Sequence, residues 1–343
     1  MNMKKTLIAA GVAAAMAVPV AATADVSLTA QLQAEVINLS GDGRANGNGM
    51  YIGDAMSGGT INSGNFSRMD FRASHDLGNG LTALGHIAVN MNLNQGVFNN
   101  AARDMTVGLR GDFGTVRLGR LIGAYFTSNK DPFHGTFMQA RGNGGMIGGF
   151  GGLGNGAYLN SAVDYRGNFG PVALAGTMAL DETPGSGSST NGDHAYALRV
   201  NFNIDPVEVW VAYTNADEYG ELAQTATNDY EAIKVGAEWK SGPIGLMAQY
   251  ENITHEDAVT GADTANAGDY YMVAGTYSMG ANTFMAGYGE FSAENDVDQR
   301  WIALGARHAF TRQVSVHAGV RQTQYNDNDD KETAVGAGMR VVF

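Results

Sequence analysis

The sequence predicts an all-β fold, a transmembrane antiparallel β-barrel of about sixteen strands, on three observations. Long segments alternate apolar and polar residues with period two, the signature of strands with two unlike faces. After the first two dozen residues no apolar run approaches about 18 residues, which excludes helical membrane spans. Short turns alternate with long polar loops along the whole chain, the rhythm of strands crossing a membrane in pairs.

Residues 1–24 read as an export signal: Lys4 and Lys5, an apolar core from Leu7 to Val18, and Ala22-Thr23-Ala24 as a small-residue cleavage site. A membrane anchor is the competing reading, but the apolar run falls short of about 20 residues and meets Pro19. Residues 25–343 are then one domain. Asp25 to Asn38 sets Val26, Leu28, Ala30, Leu32, Ala34 and Val36 against Ser27, Thr29, Gln31, Gln33 and Glu35. That alternation outlasts the usual strand of about 5 to 6 residues in a soluble sheet. Met69-Phe71-Ala73 turns at Asp76–Gly80 into Leu81-Ala83-Gly85-Ile87-Val89. Met105–Arg110 turns at Gly111–Gly114 into Thr115–Arg120, a hairpin with a glycine-bearing connection.

Paired rows continue through Val207–Tyr213, Ile233–Trp239, Tyr271–Tyr277 and Val314–Val320, ending at Val335–Phe343. Trp239, Tyr250, Tyr277, Tyr213, Phe202, Phe310 and Phe343 cap apolar rows, as interfacial girdles do. A soluble sandwich also shows one polar face per sheet, so the length and number of strands favour the barrel. On that basis the polar rows, Gln31 and Gln33 among them, are expected to form a wetted inner wall.

Composition narrows the function classes. The 19 basic and 34 acidic residues after residue 24 give a net charge of −15, which argues against nucleic acid as a partner. With no cysteine, a disulfide framework, a thiolate nucleophile and a Cys-ligated metal are excluded. The seven histidines are scattered, and no HExxH, GxSxG or phosphate loop is present. Gly149–Gly154 comes near a dinucleotide fingerprint but lacks a strand-then-helix context. No catalytic residue, cofactor or metal is therefore predicted. His75, His86 and His317 are expected on the wall without a metal, and the acids at Asp327–Asp330 and Glu294–Asp296 in solvated loops.

One stretch breaks the rhythm. From Leu121 to Tyr158 there is neither helical nor strand pattern, and eleven glycines lie between Gly123 and Gly156. Structureless segments of that length inside a domain are usually functional or disordered. In a barrel wall, such a segment can fold inward and narrow the lumen.

Ser67–Arg72, Asp76–Leu81, Val107–Arg120 and the ending Gly336–Phe343 resemble the general diffusion porins of Gram-negative outer membranes. The resemblance implies a homotrimer of sixteen-stranded barrels, each a water-filled channel for passive diffusion of small hydrophilic solutes and ions. It implies lipid and lipopolysaccharide as surroundings, a third extracellular loop folded inward, and a terminal Phe343 read by the assembly machinery. It also implies that basic wall residues face acidic loop residues across the constriction. Carried over by position, Arg68, Arg72 and Arg120 are the wall cations, with Asp131 and Arg141 on the loop. Arg117 lies three residues from Arg120, so both can point inward only if Gly119 marks a bulge; otherwise Arg117 faces a neighbouring subunit. The sequence departs from the family in two places: no wall arginine stands near Tyr158–Asn160, and Asp131 is the only acid between Gly123 and Ser161. Two alternatives are compatible with the same residues, an outer-membrane enzyme on a similar barrel and a plugged structural or adhesive barrel.

Overall fold

The computed structural model describes residues 24–41, 49–53, 67–93, 96–128, 130–140, 158–180, 194–216, 228–257, 260–263, 267–294, 298–325 and 330–343. The expected export signal, Arg141, the glycines of 142–156, and the acids Asp296, Asp327 and Asp329 lie outside them.

The wall is built of β1 (Asp25–Gly41), β2 (Arg68–Gly78), β3 (Leu81–Asn92), β4 (Val97–Gly111), β5 (Gly114–Ile122), β6 (Tyr158–Phe169), β7 (Val172–Leu180), β8 (His194–Ile204), β9 (Val207–Ala216), β10 (Asn228–Ser241), β11 (Ile244–Asp257), β12 (Gly268–Met279), β13 (Asn282–Ala293), β14 (Gln299–Ala309), β15 (Val314–Tyr325) and β16 (Asp330–Val342). Two shorter segments extend hairpins: Gly49–Gly53 lies against β1 beyond the end of β2, and Ala262–Asp263 against the end of β11. The eighteen strand segments thus make sixteen staves, each antiparallel to the next. Gln31 of β1 stands opposite Arg68 of β2 on one side and Val342 of β16 on the other, so the ring is closed. Closure leaves no sheet edge, the condition under which a β-structure can sit in hydrocarbon.

Period-two alternation sorts the side chains. Val209 and Val211 of β9 stand beside Ala237 and Val235 of β10, and all point outward. Val26, Leu28, Val107, Leu246, Val273 and Leu304 are likewise exposed. In water so much contiguous apolar surface would drive association; against lipid tails it needs no cover. Trp239, Tyr277, Phe202, Phe310 and Phe343 also face outward. Among the described residues no helix is long and apolar enough to cross a membrane, and the one helical turn is Phe126–Ser128.

The inner side differs from a uniformly wetted wall. Gln33, Glu35, Lys234, Glu251 and Arg321 are fully buried or nearly so, and Ile37, Trp210, Met272, Phe291 and Trp301 are buried beside them. The expectation of a wet row at Gln33 is therefore corrected. Residues 123–140 pack over that part of the wall and exclude water from it.

Candidate functional site

Residues 123–140 follow the inner wall from β7 round to β1, and each contact uses an inward-facing group. At the start, the Ala124 N–H donates to Thr177 Oγ1 on β7 at 2.9 Å, and Arg199 on β8 donates to the Thr127 carbonyl at 2.6 Å. The Tyr125 hydroxyl donates to Glu251 on β11, while Lys234 Nζ on β10 lies 4.3 Å from the centre of its ring. Lys130 pairs with Glu208 on β9 at 2.7 Å. Further on, Phe133 meets Trp301 on β14 edge to face, ring centres 6.3 Å apart.

The far end is clamped by its backbone. The Gly135 carbonyl accepts from Arg340 of β16 at 2.9 Å and from Gln33 Nε2 of β1. The Phe137 N–H donates to Glu35 at 3.0 Å, and the Phe137 carbonyl accepts from Arg321 of β15 at 2.6 Å. Buried charges are tolerated here because each has a partner: Arg321 also binds Glu332 at 2.7 Å, and Glu35 binds His317 Nε2 at 2.6 Å.

The arc from β2 to β6 carries the arginines. Asp70 on β2 accepts from Arg68 at 2.9 Å, Arg72 at 3.1 Å and His86 at 2.8 Å. Asp164 on β6 accepts from Arg117 at 2.7 Å and Arg166 at 3.0 Å, and from the Thr177 hydroxyl at 2.8 Å. One carboxylate thus serves two guanidinium groups in each cluster, leaving a surplus of positive charge. Arg68 and Arg72 keep 34% and 58% of their side-chain surface, whereas Lys234 and Arg321 under the segment keep none. A cavity of about 560 Å³ opens on this side, bordered by Arg72, Arg110, Arg117, Arg166 and His86 and, with opposite charge, by Asp25 and Asp104.

Gly119 settles the question of Arg117 and Arg120. Its φ is +130°, and the β5–β6 register slips between Gly119 and Leu121. This bulge shifts the alternation by one residue, so that Arg117 reaches Asp164 while Arg120 reaches Asn160 and the Tyr158 carbonyl. The Asp164 pair removes the alternative in which Arg117 faces a neighbouring subunit. Arg103 and Arg120 both lie over the Tyr158 ring, at 5.4 and 5.3 Å from its centre.

Asp131 does not face these arginines. Its two carboxylate oxygens accept the N–H groups of Phe133 and Ala140, each at 2.8 Å, folding the segment on itself. Burial pushes its carboxyl up to about 6, although those two N–H groups pull the other way. Alternation in the sequence places Gln33, Glu35, Arg321 and Arg340 on the polar face without giving them a role, and it marks neither Arg103 nor Arg166. Arg166 was legible in principle, since it shares a face with Asp164 two residues earlier. The clamp was not, because its partners lie more than a hundred residues apart. Among the described residues no group of three or more His, Cys, Asp or Glu could hold a metal ion.

A family model described as "Gram-negative porin" matches residues 9–329. The chain belongs to the Gram-negative porins. The porin is 25% identical over 360 residues to the major outer membrane protein P.IB of Neisseria meningitidis serogroup B, covering 99% of this chain and all of that one. Among solved structures it superposes on the anion-selective porin from Comamonas acidovorans with a TM-score of 0.77, at 21% identity, covering 94% of this chain and 100% of that one. It also superposes on the trimer form of OmpT from Vibrio cholerae with a TM-score of 0.66, at 16% identity, covering 94% and 100%. The porin is thus an outer-membrane channel protein, and the closed sixteen-stranded barrel is the channel's wall.

Proposed function

We propose that this porin passes small hydrophilic solutes by passive diffusion with a preference for anions, through a lumen that residues 123–140 narrow from one side. The observation that carries the reading is the unequal lining: the segment covers the wall from β7 to β1, and the arc from β2 to β6 is left with two arginines for each of Asp70 and Asp164. A polar lumen replaces part of a solute's hydration, and fixed charge beside it selects by sign. The low-dielectric wall focuses that field, so residues at the narrowing outweigh the net negative charge of the chain, which lies largely elsewhere.

In this reading Arg68, Arg72 and Arg120 act with Arg117 and Arg166 as the selecting charges. Asp131 shapes the segment, and Arg141, outside the described residues, keeps the constriction role that the resemblance implies. Residues 1–24 serve as the export signal, and a homotrimer set among lipid and lipopolysaccharide is the working assembly.

The test is a planar bilayer holding the purified protein between unequal KCl concentrations. Stepwise ohmic conductance with a reversal potential of anion-selective sign is expected. Absence of steps removes the diffusion channel, and a cation-selective sign removes the arginine arc as its selector.

A further inference from the structure

On the inner side of β14, β15 and β16, Gly305, Gly319 and Gly336 stand opposite one another in register and form a bare furrow across three strands. The Met138 side chain lies in it. A Cβ at Gly305 would come within 2.9 Å of both Met138 Sδ and Met138 Cε, and one at Gly319 would overlap Met138 Sδ. Met138 itself is fully buried. One strand away, a Cβ at Gly287 would meet the Phe133 ring at 2.9 Å.

Glycines on a barrel wall also serve close backbone approach, and the three positions separate the two uses. At Gly319 and Gly336 an added Cβ would also strike backbone, namely the Leu304 carbonyl and the Val36 carbonyl. At Gly305 the three nearest atoms all belong to the flexible ends of Met138 and Met285. Gly305 also lies outside the left-handed region, so its backbone is open to any residue. The missing side chain at that position makes room for Met138.

We infer that Met138 seated in the Gly305–Gly319 slot is the positioning contact that fixes how far residues 123–140 stand off the wall, and thereby the width of the channel. The inference rests on the proposal that this segment forms the constriction. Four hydrogen bonds hold the neighbouring backbone at Gly135 and Phe137. Hydrogen bonds tolerate a few tenths of an ångström of slack, whereas Met138 is fully buried, so its flexible end has little free space to turn into and yields mainly by moving the segment that carries it. The clamp therefore sets where the segment lies along the wall, and the methionine sets its depth.

The experiment compares Gly305→Ala, Met138→Ala and the double variant by single-channel conductance. Retained heat-modifiability on gels is required of each, showing an intact barrel. Gly305→Ala is expected to lift the segment into the lumen and lower conductance. Met138→Ala is expected to loosen the seat and raise open-channel noise. The double variant, in which the smaller residue clears the added methyl, is expected to recover wild-type conductance. A folded Gly305→Ala channel that conducts like wild type overturns the inference, and so does a double variant as impaired as Gly305→Ala. Excision of residues 126–155 separates the two levels. If excision raises conductance while Gly305→Ala does not change it, the seat falls and the constriction stands; if excision changes nothing, both fall.

Discussion

At Gly119 a single backbone angle decides which charges enter the channel. Its φ of +130° and the proximity of the Met105 carbonyl leave no space for a side chain, and the bulge it makes aims both Arg117 and Arg120 inward. Arg120→Ser removes one of those charges and leaves Arg103 over the Tyr158 ring. The expected result is a shift of the reversal potential toward cations with a rise in conductance, read in a KCl gradient; an unmoved potential assigns selectivity to the other arginines. Asp131 predicts a pH dependence. Burial favours its neutral form, so in the folded chain the proton leaves near pH 6 instead of near 3.8. Between those values the folded chain keeps a proton that the unfolded chain has lost, so this group's contribution to stability declines as pH rises across the window. Above about 6 it adds a negative charge to the segment. Anion preference should therefore weaken as pH rises through that point, and Asp131→Asn should abolish the inflection. At this scale the inward direction of Arg68, Arg72 and Arg120 agrees with what the family resemblance implies, and a bulge at Gly119 is one of the two arrangements the Arg117–Arg120 spacing allows. The direction of Asp131 was not legible, because its hydrogen bonds go to its own segment and an acid's direction is not written in its neighbours.

Residues 123–128 and 130–140 form an element whose one regular piece is the helical turn Phe126–Ser128, and their order comes from partners on many strands. Local pattern could mark the stretch as exceptional but could not say which wall it covers. That depends on Glu35, Arg321 and Arg340, which adjoin only once the barrel has closed. The consequence can be measured at Arg321. Arg321→Leu removes the guanidinium that donates to the buried Glu332 carboxylate and to the Phe137 carbonyl. Breaking a buried pair in this way typically costs about 3–5 kcal/mol. The expected readouts are a lower gel-shift temperature and a noisier channel, and the paired change Arg321→Leu with Glu332→Leu should recover much of the loss.

Across the whole molecule the alternation predicted the fold almost strand by strand, because the period-two rule that sorts faces is also the rule that builds the wall. What it missed was the dry inner arc. Polar rows at Gln33, Lys234 and Arg321 look identical in sequence whether water or another part of the chain lies above them. On the outside the sorting is strict, and it gives a direct test at Leu304, which lies exposed between Ala286 and Val320. Leu304→Arg should destabilise the barrel by about 2–4 kcal/mol if that row sits near the bilayer midplane, falling toward about 0–1 near an interface. Urea unfolding from liposomes reads the difference and reports the depth of the row.

The seam has a consequence of its own. Pairing of β1 with β16 joins positions as distant as Gln31 and Val342, so the last gap in the cylinder is bridged by strands far apart in the chain. Contacts of such sequence separation form slowly. Throughout that interval β1 offers an unsatisfied row of amides to any passing strand. A carrier that escorts the polypeptide to its membrane therefore has one duty above others: to keep that first strand occupied until its true neighbour arrives.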